Sequence, residues 1–277
     1  MSGVSDIRLV VSDVDGTLVD SSKQVTPGVR AAVARLRDAG IGFSIISARP
    51  RSGMMPIADA LEIDSPMGAF NGGTVFTRDG TVSHADRVER AVLEGVFAAA
   101  EGAAVDTWVF ADDLWYASTD VGGHVDSEKR ASNQDPVVTQ NFTDLFDRVD
   151  KVTFVSDDPD LLIDLRKRMH GFDDRATIAQ SQTYYLDVTP VSGNKGAGLT
   201  ALSKAMDVPL EQIAVLGDQA NDLPMFARAA VSYAMGQGPE AVRAEATHVV
   251  ASNDDDGVAE AIDSILAADP AKIGRTA

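Results

Sequence analysis

The fold is decided by one apolar run that stops at two carboxylates, Ile7-Arg8-Leu9-Val10-Val11-Ser12-Asp13-Val14-Asp15-Gly16-Thr17-Leu18. An apolar run of this length followed by glycine is typical of a buried strand that ends in a turn. Because alternate side chains of a strand point the same way, a strand continuing through Asp15 would hold Asp13 and Asp15 side by side. A surface turn that ends a strand explains this motif alone equally well. The rest of the chain has to decide between the two interpretations.

Composition and charge limit the class of protein. The chain has 277 residues, of which 44% are hydrophobic, and it has no cysteine, a net charge of -18 and a pI of about 4.4. Its length fits one large or two modest domains. The acidic balance argues against nucleic acid as a partner, because binding to a phosphate backbone needs clustered Lys and Arg. The lack of cysteine excludes disulfides and thiolate chemistry, and it fits a reducing compartment.

The sequence shows no targeting or membrane-spanning signal. The segment from Met1 to Asp6 has no basic region followed by an apolar stretch, and no apolar run approaches the length needed to span a bilayer. We therefore expect a cytoplasmic protein with no membrane partner. The residues give no indication of the oligomeric state.

Strands and helices alternate in the first part of the chain. Thr26-Pro27 predicts the start of a helix, and apolar residues at helical spacing follow until Gly40. The apolar segment 41–46 is a second strand, and a strand, helix, strand order generates a parallel pair. Ser47 follows this second strand, at the edge where open parallel sheets bind ligands.

The pattern changes in the middle of the chain. The predicted elements there are a helix near 88–96, a hairpin over 105–117, a strand at 151–156, a helix at 159–169, and strands at 176–179 and 183–188. The polar interval 120–135 has no periodic signal and is left unassigned. Parallel alternation returns after Pro190. We therefore predict an α/β core domain, residues 1–80 and 189–277, interrupted by a smaller α+β domain, residues 81–188.

Four polar clusters lie at or near one edge of the predicted parallel sheet. In chain order they are Asp13-Val14-Asp15-Gly16-Thr17-Leu18, Ser47-Ala48-Arg49, Lys195 and Gly217-Asp218-Gln219-Ala220-Asn221-Asp222. This ordered set resembles the four motifs of the haloacid dehalogenase-like (HAD) phosphatase superfamily. Asn71-Gly72 and the place of the insert resemble its Cof-type branch. The resemblance implies a Rossmann-like parallel-sheet core with an inserted α+β cap of type C2, subtype C2B.

Charge explains why acids and a lysine would gather at such a site. A phosphate monoester and a carboxylate nucleophile are both anions, and two unit charges 4 Å apart repel by about 4 kcal/mol at an effective dielectric constant near 20. Uncompensated, this repulsion would cost about three orders of magnitude in rate. A divalent cation and a lysine would offset it. Oxygen ligands, water and phosphate are the surroundings that Mg²⁺ prefers.

The resemblance also implies a role for each motif residue. Asp13 attacks phosphorus and forms an aspartyl-phosphate, while Asp15 protonates the leaving oxygen and then activates water. Lys195 neutralises the phosphoryl group and tethers Asp13, and Ser47 holds a phosphoryl oxygen through its hydroxyl. Asn221 orients Lys195 or binds the phosphate. Mg²⁺ is held by the Asp13 carboxylate, the Asp15 backbone carbonyl and the Asp218 carboxylate. Asp222 is left open as a further metal ligand, acting directly or through water.

The predicted function is therefore a Mg²⁺-dependent phosphatase that acts on a small phosphorylated metabolite, specifically a sugar phosphate. A phosphomutase of the same fold is the nearest alternative, since the same aspartyl-phosphate can be transferred to a hydroxyl. A catalytically silent domain that binds a small molecule is the second alternative.

Single residues, taken alone, also permit structural interpretations that involve no catalysis. Lys195 alone would be a solvated surface lysine, Asp222 a helix-initial acid, and Trp108 and Trp115 hairpin packing.

Overall fold

The computed structural model describes residues 6–268, which divide into two compact units. Among these residues the first unit comprises 6–48, 55–84 and 194–268, and the second comprises 49–54 and 85–193. Nowhere between residues 6 and 268 does a helix have both the length and the apolar character needed to cross a membrane. The predicted boundaries at residues 80 and 189 remain predictions.

The strands are β1 (Leu9–Ser12), β2 (Gly42–Ile45), β3 (Met67–Ala69), β4 (Thr74–Phe76), β5 (Val82–Ala85), β6 (Asp106–Ala111), β7 (Leu114–Ala117), β8 (Val137–Val138), β9 (Val149–Val155), β10 (Ala176–Gln182), β11 (Tyr185–Pro190), β12 (Ile213–Gly217), β13 (Val231–Met235) and β14 (His248–Val250). The helices are α1 (Pro27–Asp38), α2 (Arg51–Leu61), α3 (Arg90–Ala100), α4 (Val125–Ser132), α5 (Pro159–Arg168), α6 (Lys195–Met206), α7 (Leu223–Phe226), α8 (Glu240–Glu245) and α9 (Gly257–Ala268).

The first unit is built on a parallel sheet of five strands in the order β14-β13-β12-β1-β2. Strand β1 lies between β12 and β2, with Leu9 in register with Ile213 on one side and Gly42 on the other. Its residues Leu9 to Ser12 are fully buried, as expected for a central parallel strand. The α/β class predicted from the alternation of elements is therefore confirmed.

Helix α1 shows why the first crossover forms where it does. The hydroxyl of Thr26 accepts a hydrogen bond from the Val29 amide, and Pro27 takes the first helical position, where no amide donor is needed. The helix ends before Gly40, whose φ of +72° suits a left-handed turn. Between these ends the helix buries one apolar face that includes Leu36. The predicted first helix is confirmed.

The second unit contains a six-stranded sheet in the order β10-β11-β9-β6-β7-β8. Its pairings are antiparallel except for β7 with β8. Alternate residues of β6 and β9, such as Val109 and Phe154, pack with Val96 of α3 and Leu165 of α5 in one apolar core. The predicted hairpin is present as β6 and β7.

Trp108 and Trp115 pack against each other inside that hairpin. Their ring centroids lie 5.1 Å apart in an edge-on arrangement, and both side chains are buried. This geometry is typical of aromatic core pairs. Within the second unit these residues contribute hairpin packing, the plainer of the two interpretations.

The interval 120–135, which carries no periodic signal, contains helix α4. Only Val125 and Ser132 of this helix are buried, so there is no apolar stripe to detect. The placement of charges stabilises the helix instead, because Asp126 lies in its first turn and Arg130 in its last, where each charge complements the helix dipole. Asn133 ends it in the left-handed conformation, with φ of +54°.

Candidate active site

The chain turns sharply where β1 ends, and this separates the two aspartates. Strand β1 ends at Ser12, so it does not continue through Asp15, although the Asp13 amide still bonds to the Leu216 carbonyl at 2.9 Å. The amides of the next turn then converge on the Val14 carbonyl, with Leu18 N at 2.9 Å. As a result, the side chain of Asp13 is 7% exposed, whereas that of Asp15 is 38% exposed. The two acids therefore occupy different environments.

Lys195 joins the aspartates that follow β1 and β12. Its Nζ lies 2.7 Å from Asp13 Oδ1 and 2.5 Å from Asp222 Oδ1, and the residue is 1% exposed. A buried ammonium needs such partners, because an unpaired charge in the interior is strongly destabilising. The plainer interpretation of Lys195 as a solvated surface residue is therefore wrong.

Glycines allow Lys195 to reach this position. The Asn194 side chain caps α6 by accepting from the Ala197 amide at 3.0 Å. A Cβ at Gly196 would lie 2.6 Å from the Pro224 carbonyl oxygen, and a Cβ at Gly198 would lie 2.6 Å from the Gly72 Cα. The helix therefore packs closer to its neighbours than a helix with side chains at these positions could. That approach fixes the first turn, which carries the lysine.

Asp222 organises the loop after β12. Its Oδ2 accepts hydrogen bonds from the Asp218 amide at 2.8 Å and the Gln219 amide at 2.9 Å, while its Oδ1 accepts from Lys195. Asp218 is held by Thr17, which donates to its Oδ1, and by the Gln219 side chain, which donates to its Oδ2, both at 2.9 Å. Both oxygens of Asp222 are thus engaged by the protein itself.

Burial dominates the electrostatics of Asp13. Desolvation raises the pKa of its carboxyl to about 8, with Lys195 opposing the shift and the carboxylates of Asp222 and Asp218 adding to it. Burial likewise raises the pKa of Asp218. For Lys195, burial acts to lower the pKa, but Asp13 and Asp222 outweigh it and raise the pKa above its usual value. Burial thus opposes ionisation of the Asp13 carboxyl, while the Lys195 ammonium favours it.

The donor set fits a hard divalent cation. Asp13, Asp218 and Asp222 each offer a carboxylate oxygen, and these oxygens lie within 4.8 Å of one another. Gly16 keeps the approach open, because its φ is +80° and a Cβ there would lie 2.6 Å from Asp218 Oδ2. Oxygen ligands of this kind suit Mg²⁺. Both oxygens of Asp222 and both oxygens of Asp218 already accept protein hydrogen bonds, so these contacts do not rank the three carboxylates as ligands.

Asp15 has a partner that the motif spacing does not indicate. Lys23 Nζ lies 2.8 Å from Asp15 Oδ1, and the two side chains are 59% and 38% exposed. Lys23 comes from the short turn between β1 and α1, at a position without helical or strand periodicity. No pattern in the sequence pointed to it.

Ser47 and Asn221 differ in their surroundings. Ser47 is buried just beyond β2, where its backbone carbonyl accepts from the Asn71 amide at 2.7 Å. Because Ser12 is in register with Ile45, this position lies at the same sheet edge as Asp13. Asn221, in contrast, is exposed, and the contact with Lys195 comes from Asp222. The phosphate-binding roles of Ser47 and Asn221 stay predictions.

Comparison with known proteins identifies the family. The sequence profile described as haloacid dehalogenase-like hydrolase matches residues 10–262, which is most of the chain. The chain belongs to the haloacid dehalogenase-like hydrolase family. It is therefore an enzyme of the HAD-like hydrolase class, and the resemblance to this superfamily and its Cof-type branch is confirmed. The C2B subtype of the inserted domain remains a prediction.

Curated relatives of this HAD hydrolase are named as phosphatases. The HMP-PP phosphatase of Escherichia fergusonii is 28% identical over 243 residues, covering 87% of this chain and 89% of the relative. The HMP-PP phosphatase of Shigella boydii is 27% identical over 242 residues, covering 87% and 93%. The similarity extends over nearly the whole length of each protein.

Solved structures agree with this family membership. A haloacid dehalogenase-like hydrolase from Bacteroides thetaiotaomicron superposes with a TM-score of 0.86 at 26% identity, covering 94% of this chain and 99% of the other. A Thermotoga maritima protein superposes with a TM-score of 0.83 at 26% identity, covering 93% and 97%. The predicted parallel-sheet HAD core with an inserted smaller domain is the fold that these proteins share.

Proposed function

We propose that this HAD hydrolase is a Mg²⁺-dependent phosphatase that releases phosphate from a small phosphorylated metabolite through an aspartyl-phosphate on Asp13. The observation that carries the proposal is the buried contact of Lys195 with Asp13 and Asp222, beside the carboxylate of Asp218. A structural ion pair alone would not need three carboxylates within 4.8 Å. Such crowding of like charges is costly unless it serves to bind a cation.

The chain's own residues account for the chemical steps. Asp13 supplies the oxygen that attacks phosphorus, and the Lys195 ammonium, fixed by Asp222, lowers the repulsion between that oxygen and the phosphoryl group. Asp15, at the more exposed side of the turn, gives a proton to the leaving oxygen. It then takes a proton from the water that cleaves the aspartyl-phosphate. Ser47 is proposed to donate its hydroxyl to a phosphoryl oxygen, and Asn221 to contact the same group.

Asp13, Asp218 and the Asp15 carbonyl would hold Mg²⁺, with Asp222 as a further contact, direct or through water. When bound, the ion supplies positive charge that favours the carboxylate form of Asp13 and offsets the charge of the substrate. This matters here because burial raises the pKa of Asp13 to about 8.

The test is phosphate release from p-nitrophenyl phosphate and a panel of phosphorylated metabolites, with Mg²⁺ or with EDTA. Steady release that depends on the metal supports the proposal. Interconversion of sugar phosphate isomers without net release would indicate a phosphomutase, and no reaction with any substrate would indicate a silent binding domain. Trapping a phosphorylated Asp13 by rapid acid quench and peptide mapping would identify the intermediate.

Two observations bear on the class of substrate that this phosphatase would hydrolyse. The resemblance predicts a sugar phosphate, while the curated relatives are named for HMP-PP. A panel should therefore contain hexose phosphates, HMP-PP and nucleotides. The acidic chain, with its net charge of -18, supports a small molecule as substrate over nucleic acid.

A further inference from the structure

A second ammonium group lies next to the proposed acid of the reaction. Lys23 Nζ is 2.8 Å from Asp15 Oδ1, and the Lys23 side chain is 59% exposed. An ammonium has three donors, and this contact uses one of them. Lys23 can therefore reach both Asp15 and a group that enters from solvent.

The turn that carries Lys23 is well ordered. The Lys23 amide bonds to the Asp20 carbonyl at 2.9 Å, and Asp20 Oδ1 accepts from the Gln24 amide at 2.8 Å. Lys23 itself has φ of +62°, a conformation that lysine rarely adopts. Together these hydrogen bonds hold the Lys23 backbone in place beside Asp15.

The position of Lys23 relative to the reaction follows from Asp15. In the proposed function Asp15 hydrogen-bonds the oxygen that leaves phosphorus. Lys23 Nζ is 2.8 Å from that carboxylate, so in this reaction it would lie on the leaving-group side of the phosphoryl group. Lys195, in contrast, contacts the nucleophile Asp13. In the proposed function the two lysines would thus stand beside the departing and the attacking oxygens, respectively.

We propose that Lys23 binds the leaving group and selects substrates whose leaving group is an anion, specifically phosphoanhydrides with a terminal phosphate. This inference rests on the proposed function. The leaving group of a sugar phosphate departs as a neutral alcohol, which gains little from a cation. The leaving group of a phosphoanhydride is itself a phosphate, whose oxygens accept charge-assisted hydrogen bonds from an ammonium.

The step balances without a further reactant. A bond forms between a carboxylate oxygen of Asp13 and the terminal phosphorus. The bond between that phosphorus and the bridging oxygen breaks, and its electron pair remains on the bridging oxygen. That oxygen takes the proton of Asp15 and becomes part of the departing phosphate group, whose remaining negative charge Lys23 contacts. Asp15 then takes a proton from the water that attacks the aspartyl-phosphate, which releases inorganic phosphate and regenerates the Asp13 carboxylate.

The first test compares UDP with UMP in the Mg²⁺-loaded enzyme. The organic part is the same, but UDP releases an anionic nucleotide and UMP a neutral nucleoside. Lys23→Met should lower kcat/KM for UDP by about 10- to 100-fold, and that for UMP by less than about threefold. Lys23→Arg should restore part of the loss. Lys204→Met, an exposed lysine in the last turn of α6, is the matched control and should leave both values unchanged.

An equal loss for the two substrates would show that Lys23 acts through Asp15 and not on the leaving group, and an unchanged value for UDP would exclude any role. Either result overturns the proposal. Binding provides a readout that does not need turnover. The wild type should bind methylenediphosphonate at least about tenfold more tightly than methylphosphonate in calorimetry with excess Mg²⁺, and Lys23→Met should abolish that preference.

The two readouts separate failure of the inference from failure of the proposed function. If no substrate is hydrolysed but the diphosphonate preference depends on Lys23, the phosphatase proposal fails and the assignment of a ligand to Lys23 stands. If phosphate is released but the preference is absent or insensitive to Lys23→Met, the phosphatase proposal stands and the role of Lys23 is wrong.

Discussion

Lys195 and Asp222 form a buried pair in which Nζ and Oδ1 are 2.5 Å apart, while the other oxygen of Asp222 holds the backbone amides of Asp218 and Gln219. One carboxylate thereby fixes both the cation that faces Asp13 and the loop that carries Asp218. Through this pair, the position of the proposed metal ligand and that of the lysine depend on each other.

Asp222→Asn should damage stability and activity together. Asparagine has one acceptor oxygen where Asp222 uses two, so its amide group must face a donor. We expect a loss of about 3 kcal/mol in the free energy of unfolding, because a buried charge loses a partner. We also expect kcat to fall about 10- to 100-fold through misplacement of Lys195 and Asp218. Urea denaturation and steady-state kinetics measure the two effects. Asp38→Asn, at the exposed end of α1, is the matched control and should change neither.

Asp13→Asn should abolish phosphate release while the fold remains. Removing the nucleophilic carboxylate stops formation of the aspartyl-phosphate, yet the residue keeps its shape beside Lys195. The circular dichroism spectrum should match that of the wild type. Turnover at the wild-type rate would exclude Asp13 as the nucleophile.

Asp15→Asn should lower the steady-state rate by about 100- to 10,000-fold, the usual contribution of a general acid and base. Because Asp15 is partly exposed and paired with Lys23, its loss should cost less than about 1 kcal/mol of stability. Thermal unfolding and kinetics on the same preparation check both values. A steady-state rate equal to that of the wild type would remove Asp15 from proton transfer.

The metal-free protein should lose stability as pH rises from about 4 to about 8. The pKa of Asp13 is about 8 in the folded state, against an ordinary value of 3.8. Between these values the folded protein binds more protons than the unfolded chain, so the free energy of unfolding decreases with increasing pH. Burial also raises the pKa of Asp218, so this group acts on stability in the same direction. Melting temperatures in EDTA at pH 5 to 8 should therefore fall.

Two comparisons make this pH test specific. Asp13→Asn should flatten the slope, because it removes the group with the raised pKa. Mg²⁺ should raise the melting temperature more at pH 8 than at pH 5, since it binds the ionised form. Stability that increases over this range in EDTA would contradict the assignment.

Gly16→Ala should be more harmful than Gly80→Ala, although both glycines have positive φ. The two angles are +80° and +86°, but a Cβ at Gly80 meets nothing within 4 Å, whereas one at Gly16 would lie 2.6 Å from Asp218 Oδ2. Gly80→Ala therefore measures the cost of backbone strain alone, a loss of about 1 kcal/mol in the free energy of unfolding. Gly16→Ala should cost about 2 kcal/mol more. It should also weaken activation by Mg²⁺, because the clash displaces Asp218. Equal effects in a titration of activity with Mg²⁺ would show that Asp218 does not hold the ion.

The sequence predicted the features that depend on local periodicity and motif order. The cap of α1 at Thr26, the buried strand β1 and the hairpin of β6 and β7 all follow from spacing, and each is present. Helix α4 was missed because its stability depends on charge order and a left-handed Asn133, which periodicity does not detect. The contact of Lys195 with Asp222 was missed for a different reason. Whether Asn221 or Asp222 faces the lysine depends on the turn that precedes α7, and spacing does not fix that turn.

The register of β1 also determines when the site can form during synthesis. Strand β1 pairs with β12, whose residues follow it by about 200 positions, since Leu9 lies opposite Ile213. A ribosome adds about 5–20 residues per second, so β1 would emerge about 10–40 s before its neighbour. Until then β1, which leads into Asp13, has an unpaired edge, and such an edge is a hazard for association with other chains. The nascent chain is therefore most in need of chaperone protection over the interval in which its second unit is being made.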